Sequence, residues 1–302
     1  MATEVGHISF HDQISRNTRN SVLLMIGVIA LALVLGWIIG MIYDPAIAVL
    51  FVGIAAAVAA GQIAYSYNYG DQVVLKVTGA RPANERDIKE KHLVNVVEGL
   101  AIAAGIPTPK TYVIDSTEMN AFATGKDPKH ASIAITRGLL EKLNRSELEG
   151  VIGHELSHVR NYDIRFATLV AVAVGLIAIL SYIFLRSFHL GSSGRDRGGN
   201  VAIFIIIGVV LAIVAPIIVR FVQLAVSRQR EYLADASSAQ LTRYPPGLAD
   251  ALVKIKSHNK GNMEVSEAVS HLFFVDPVKS HLDSLFATHP PIEKRIQILR
   301  SM

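Results

Sequence analysis

The stretch Gly153-His154-Glu155-Leu156-Ser157-His158-Val159-Arg160-Asn161-Tyr162-Asp163 decides how the rest of the chain is read. Apolar residues recur at helical spacing over Ser146–Tyr162, which predicts a helix, with Asn144 or Ser146 as N-cap and Glu147 and Glu149 in the first turn. On such a helix His154 and His158 lie one turn apart, their directions differing by about 40°. Two imidazoles so placed can reach one tetrahedral zinc ion. Glu155, beside the first, points at the open coordination position, where it can take a proton from zinc-activated water as that water attacks a polarised carbonyl. The chemistry implied is metal-assisted hydrolysis.

A two-histidine site needs a third ligand. Further along, Ser227-Arg228-Gln229-Arg230-Glu231-Tyr232-Leu233-Ala234-Asp235 sets Glu231 and Asp235 at the same one-turn spacing. Glu231 completes a two-His, one-Glu site and leaves the fourth position for water. Asp235, a turn on, is placed to accept a hydrogen bond from the far nitrogen of a ligand imidazole, His154 first among them. The chain has no cysteine, so disulfides, thiolate chemistry and cysteine-based metal sites are excluded. The remaining histidines (His7, His11, His92, His130, His189, His258, His271 and His281) have no ligand spacing and are read as ordinary surface or core residues.

The apolar content, 51% against 18% charged, exceeds that of an ordinary soluble domain and is gathered into blocks. Ser21–Tyr43 and Pro45–Tyr67 are each long enough to cross a hydrocarbon core of about 30 Å as helices. Asp44 and Pro45 between them force a tight hairpin. Phe166–Leu185 and Val201–Val219, the latter with Pro216 as a kink, form a second apolar pair. A net charge of +4 without a basic stripe interleaved with aromatics argues against nucleic acid as a partner. The lipid bilayer is the partner that composition names.

Arg16 and Arg19 precede the first hairpin, and Lys76, Arg81 and Arg86 follow it, so both its ends face the cytoplasm. The loop of the second pair carries Arg186, Arg195 and Arg197, so that pair either crosses against the bias or dips into the membrane without crossing. The division expected is a cytoplasmic N-terminal tail (1–20), a transmembrane hairpin (21–67), a first catalytic part (68–165), a second transmembrane or re-entrant hairpin (166–220) and a second catalytic part (221–302). Thr111–Asp115, Asn120–Gly125 and Ala131–Thr136 have strand character, and Glu85–Ala104 is a further helix. The fold class expected is α+β, mainly helical, with a small sheet. The site must hang close under the bilayer: at about 1.5 Å per helical residue, Glu231 lies roughly 18 Å from Val219.

The segments quoted, with Asn120-Ala121-Phe122-Ala123-Thr124-Gly125, Gly138-Leu139-Leu140 and Thr288-His289-Pro290-Pro291, resemble the HtpX membrane heat-shock proteases, relatives of the CAAX prenyl endopeptidases. The resemblance runs over nearly the whole chain. It implies a zincin (gluzincin) metallopeptidase domain with two transmembrane hairpins, up to four spans, in a bacterial inner membrane. It also implies zinc-dependent cleavage of misfolded membrane proteins on the cytoplasmic face, with Glu231 as third ligand. Asn120, Ala121, Phe122 and Ala123 would then belong to or adjoin an edge strand that pairs with extended substrate. His289, before Pro290-Pro291 at the start of the C-terminal helix, is either a loop residue or a group stabilising the oxyanion. Arg228 and Arg230 either stabilise the oxyanion in the same way or meet lipid phosphates, and the second reading is preferred.

Two other functions fit part of the pattern. A zinc-stabilised, non-catalytic membrane adaptor would keep the ligands without the chemistry, and the intact Glu155 argues against it. An intramembrane protease would bury its motif in an apolar span. Here Lys142, Arg145, Glu147, Glu149, Arg160 and Asp163 surround it, at a cost in lipid that excludes that placement.

Overall fold

The helix Arg145–Arg160 is the element around which the others are arranged, and nearly its whole length is buried. The computed structural model describes residues 10–43, 45–173, 228–261, 263, 265–275, 277 and 290–302. In chain order its labelled elements are α1 (Phe10–Tyr43), α2 (Ala48–Val77), β1 (Arg81–Pro82), α3 (Ile88–Ala104), β2 (Lys110–Ile114), β3 (Ala121–Gly125), β4 (Ala131–Thr136), α4 (Arg137–Lys142) and α5 (Arg145–Arg160). After it come α6 (Arg228–Thr242), α7 (Pro245–His258) and α8 (Ile292–Arg300). Residues 163–173 are also helical. The architecture is mostly helical with one small sheet, as expected from the sequence.

Sequence chemistry accounts for the start of α5. Asn144 accepts from Glu147 N while the Glu147 carboxylate accepts from Asn144 N, so two of the helix's unsatisfied N–H groups are answered at once. Of the two N-cap candidates, the chain uses Asn144. Leu148, Val151, Ile152, Leu156 and Val159 then pack with Leu93 and Val97 of α3, Ile133 and Ile135 of β4, Leu252 of α7 and Leu299 of α8. Each such side chain contributes about 1.5–3 kcal/mol relative to exposure. Gly150 and Gly153 allow the close approach of neighbouring helices. A Cβ on Gly150 would stand 2.7 Å from Leu248 N, and one on Gly153 2.8 Å from Ser238 Oγ. Ser238 Oγ uses that proximity to donate to Gly150 O at 2.6 Å.

The sheet order is β1-β2-β4-β3, with β2 parallel to β4 and β3 antiparallel to it, so β3 is an edge. Predicted helix and strand boundaries shift slightly. Asp87 caps α3 by accepting from Lys89 N and Glu90 N, so that helix opens at Ile88 and not at Glu85. The strands expected from Thr111 and Asn120 begin at Lys110 and Ala121.

Larger differences concern the first hairpin. α1 and α2 pack along one another, but α1 begins at Phe10, inside the stretch expected as a tail, and α2 continues past Tyr67 to Val77. Tertiary contacts supply the reason. At the near end of α1, Asn17 and Ser21 are buried and Leu24 packs on Phe166, Leu169 and Val170. Val74 and Leu75 of α2 pack with Ile114, Phe122 and Phe273. Elsewhere the two helices present apolar side chains outward, including Val49 at 82% and Val58 at 66% exposure. Both helices are long and apolar enough to cross a membrane. Of the second apolar pair, only residues 166–173 are described, and they are helical; the rest of Phe166–Leu185 and all of Val201–Val219 lie outside the described residues.

Candidate active site

The i, i+4 spacing on α5 brings the two imidazoles together with Nε2 atoms 3.1 Å apart. α6 crosses α5 so that the Glu231 carboxylate meets both: Oε2 is 3.5 Å from His154 Nε2 and Oε1 is 3.5 Å from His158 Nε2. Among the described residues these three form the one group able to hold a metal ion. Glu155, 2% exposed, lines the same cleft with Ala123, Arg230, His271, Phe273 and Phe274.

What lies behind the imidazoles sets their state. His154 Nδ1 is 2.9 Å from Asp235 Oδ1, and His158 Nδ1 is 2.9 Å from Asp163 Oδ2. An ionised carboxylate only accepts, so each Nδ1 carries the proton and each Nε2 presents a lone pair to the centre. Two lone pairs and a carboxylate face one another across about a hydrogen-bond distance. Such an arrangement repels itself unless a cation, either a proton or a metal ion, sits among the three groups. The donor set therefore fits a metal ion, held by His154, His158 and Glu231.

Charge around the centre points the same way. Burial alone would lower the His158 imidazole, but the bond to Asp163 and the charges of Glu231, Asp163 and Glu155 outweigh it and lift its pKa to about 9. The site stabilises positive charge. Burial would likewise raise the Asp235 carboxyl, yet the Arg295 charge and the bond to His154 hold it below the usual range.

Arg295 carries no signal in the sequence. It sits on α8, is 1% exposed, and grips Asp235 through Nε–Oδ2 at 2.8 Å and Nη2–Oδ1 at 2.7 Å. Its guanidinium also lies over the Phe274 ring, 4.6 Å from the centroid, and that ring meets His154 edge-on at 4.8 Å. A buried arginine on a nine-residue amphipathic helix reads as solvated charge until α8 is docked. His271, read as an ordinary residue, is buried on the cleft wall with Nε2 3.3 Å from Ala167 O. Arg230 also lines the cleft. Its head is turned to Asn17 and Asp163.

The proposed substrate strand is partly engaged already. Phe274 N donates to Ala121 O at 2.8 Å, and the Asn120 side chain clamps Val275, donating to its carbonyl (2.7 Å) and accepting from its N–H (3.1 Å). Gly125 N donates to Thr168 Oγ1. In the antiparallel pairing of β3 and β4, residues 120, 122 and 124 bond to β4, while 121, 123 and 125 turn their backbone groups outward. Ala123, which lines the cleft, is thus the edge residue whose N–H and C=O face the metal-binding centre's side without an answering bond among the described residues. His289 lies outside the described residues.

Comparison with known proteins assigns the family. The model of "Peptidase family M48" matches residues 87–302. A protein named "Protease HtpX homolog" from Dictyoglomus thermophilum is 50% identical over 238 residues, covering 79% of this chain and 77% of its own length. Its namesake from Listeria monocytogenes serotype 4b is 41% identical over 304 residues, covering 96% of this chain and 99% of the relative. Among solved structures, the crystal structure of S. mikatae Ste24p matches with a TM-score of 0.48 and 20% identity, covering 92% of this chain and 67% of that one. With a family model spanning both the helix of His154 and His158 and the helix of Glu231, this chain belongs to peptidase family M48.

Proposed function

We propose that the chain is a membrane-bound zinc endopeptidase acting on protein substrates, chiefly misfolded or damaged membrane proteins, at the cytoplasmic face of a bacterial inner membrane. The observation that carries this reading is the convergence of His154, His158 and Glu231 in one cleft with Glu155 beside them. Ligand atoms about 2.0–2.1 Å from a tetrahedral zinc stand roughly 3.3 Å apart. The contacts here are 3.1, 3.5 and 3.5 Å, and two imidazoles with one carboxylate suit zinc.

When bound, zinc acidifies water and polarises a scissile carbonyl. The chain's own residues supply the rest. Glu155 accepts the proton of the attacking water and returns it to the leaving amine. Asp235 and Asp163 keep both imidazoles protonated at Nδ1, and Arg295 holds Asp235 in place. The Ala123 N–H and C=O pair with one residue of an extended substrate, with Asn120, Ala121 and Phe122 shaping that edge. His289 is assigned to the oxyanion. In the zincin-type arrangement we adopt, residues 21–67 and 166–220 belong to the membrane and 68–165 and 221–302 to the catalytic domain, beneath residues 1–20 and the arginines that mark the cytoplasmic side. Substrates are then loops and ends close to the bilayer.

The exposure of Lys142, Arg145 and Arg160 around α5 disfavours an intramembrane site. Proteolysis by purified full-length protein in detergent, with zinc added and with zinc chelated, tests the proposal. Glu155→Gln is expected to reduce the rate by at least about 10²-fold while zinc stoichiometry stays unchanged. Full activity in that variant would remove the mechanism; an inactive parent that still holds zinc would favour the adaptor.

A further inference from the structure

The polar start of α1 reaches the metal centre. Asn17 is 3% exposed although it belongs to a stretch that reads as a solvated tail. Its carboxamide Nδ2 donates to Asp163 Oδ1 at 2.6 Å and to Asn161 O at 3.1 Å, and its Oδ1 accepts from Arg230 Nη1 at 2.7 Å. Asp163 thus divides its oxygens, one to His158 Nδ1 and the other to α1. Arg230 is the immediate neighbour of Glu231, so a single side chain touches the support of His158 and the residue next to Glu231 in the chain.

The backbone between these contacts is held in an uncommon shape. Tyr162 has φ of +60°, a left-handed conformation that non-glycine residues seldom adopt. This turn swings Asp163 back toward His158, five residues earlier. Such a conformation persists where surrounding structure over-determines it. Asn17 supplies part of that determination, because its bonds fall on Asn161 and Asp163, one on either side of Tyr162. Leu24 of α1, packed on Phe166, Leu169 and Val170, sets the helix against the segment that follows.

We infer that Asn17 is a positioning residue of the metal centre: a carboxamide delivered by the first apolar helix orients Asp163, and through it His158, so that metal retention depends on how α1 is seated. The inference rests on the metal-site reading above. A residue behind a ligand usually changes metal affinity by about 10–100-fold, and Asn17 stands one contact further out.

The experiment is competition for zinc between a chromogenic chelator and full-length protein in detergent micelles. Asn17→Leu, close in volume and compatible with an apolar helix, is expected to weaken zinc binding by about 3–30-fold, and Asp163→Asn by about 10–100-fold. Asn17→Ala, which only deletes the carboxamide, answers the same question should the leucine variant fail to fold. Thr18→Leu, on the exposed side of the same helix, should bind zinc like the parent. Added to Asp163→Ala, which removes both acceptor oxygens, Asn17→Leu should change affinity by less than about two-fold, because the contact through which it acts is gone. Additive losses, or parent-like binding by both Asn17 variants, would overturn the inference. Glu231→Ala separates the two levels of the argument: if it keeps zinc, the metal site itself is wrong, and if it alone loses zinc, only the role of Asn17 is.

Discussion

The two imidazoles of the centre are held by different parts of the molecule. His154 leans on Asp235 and Arg295, each 1% exposed, in a gripped ion pair deep inside the catalytic domain. His158 leans on Asp163, about 10% exposed, whose other partners are Asn17 and Arg230 at the junction with the first apolar helix. A buried ion pair is costly to break, because one partner left alone is an unpaired charge in low dielectric. A pair at the rim loses less, since water can replace what is removed. The inner support therefore belongs to the core around α5, and the outer one belongs to the attachment of the first apolar helix.

Substitutions that remove one support at a time should break this contrast if it is false. Arg295→Met has the largest expected effect: it strands Asp235 and should lower folding stability by about 3–5 kcal/mol, read by thermal unfolding of the protein in detergent. Asp235→Asn, which removes the obligate acceptor of the His154 Nδ1 proton, should weaken metal binding by about 10–100-fold. Asp163→Asn is expected at the lower end of that range, with a smaller loss of stability than Arg295→Met. Equal unfolding temperatures for the two rim and core variants would erase the distinction between core and attachment.

A last effect is one of pH. Because the folded His158 pKa is lifted to about 9, its protonation stabilises the metal-free chain. That contribution is fully present below the unfolded value of about 6.5 and is lost as pH rises through about 9. Thermal midpoints of chelator-treated protein should decline across that window, and His158→Gln should flatten the decline. Metal binding displaces the same proton, so affinity should rise with pH over the same range. A midpoint that rose between those values would contradict the charge balance drawn for the rim.

Much of the candidate site is legible along the chain because helices impose local geometry. His154 with His158, and Glu231 with Asp235, are pairs whose spacing by itself puts both members on one face. Arg295 is 60 residues from Asp235, and Asn17 is 146 from Asp163. Each stands in a stretch whose composition predicts solvent, and no period in the sequence links it to its partner. His271 reads as an ordinary residue for the same reason. The first hairpin was legible as apolar length, but its ends were not. The helices run past those ends where Asn17 bonds to Asn161, Asp163 and Arg230, Leu24 packs on Phe166, Leu169 and Val170, and Val74 and Leu75 pack with Ile114, Phe122 and Phe273.

What the sequence by itself determined is the set of groups that face a metal ion from one turn of each of two helices, together with the apolar lengths that direct the chain to a bilayer. Backbone hydrogen bonding fixes those relations within a few residues, whatever the rest of the chain does. What only the tertiary structure decided is how the two helices cross, which carboxylate stands behind which imidazole, and which distant side chain holds that carboxylate. Those choices follow from close packing at Gly150 and Gly153 and from the need to satisfy every buried charge, and both conditions exist only once the elements have met.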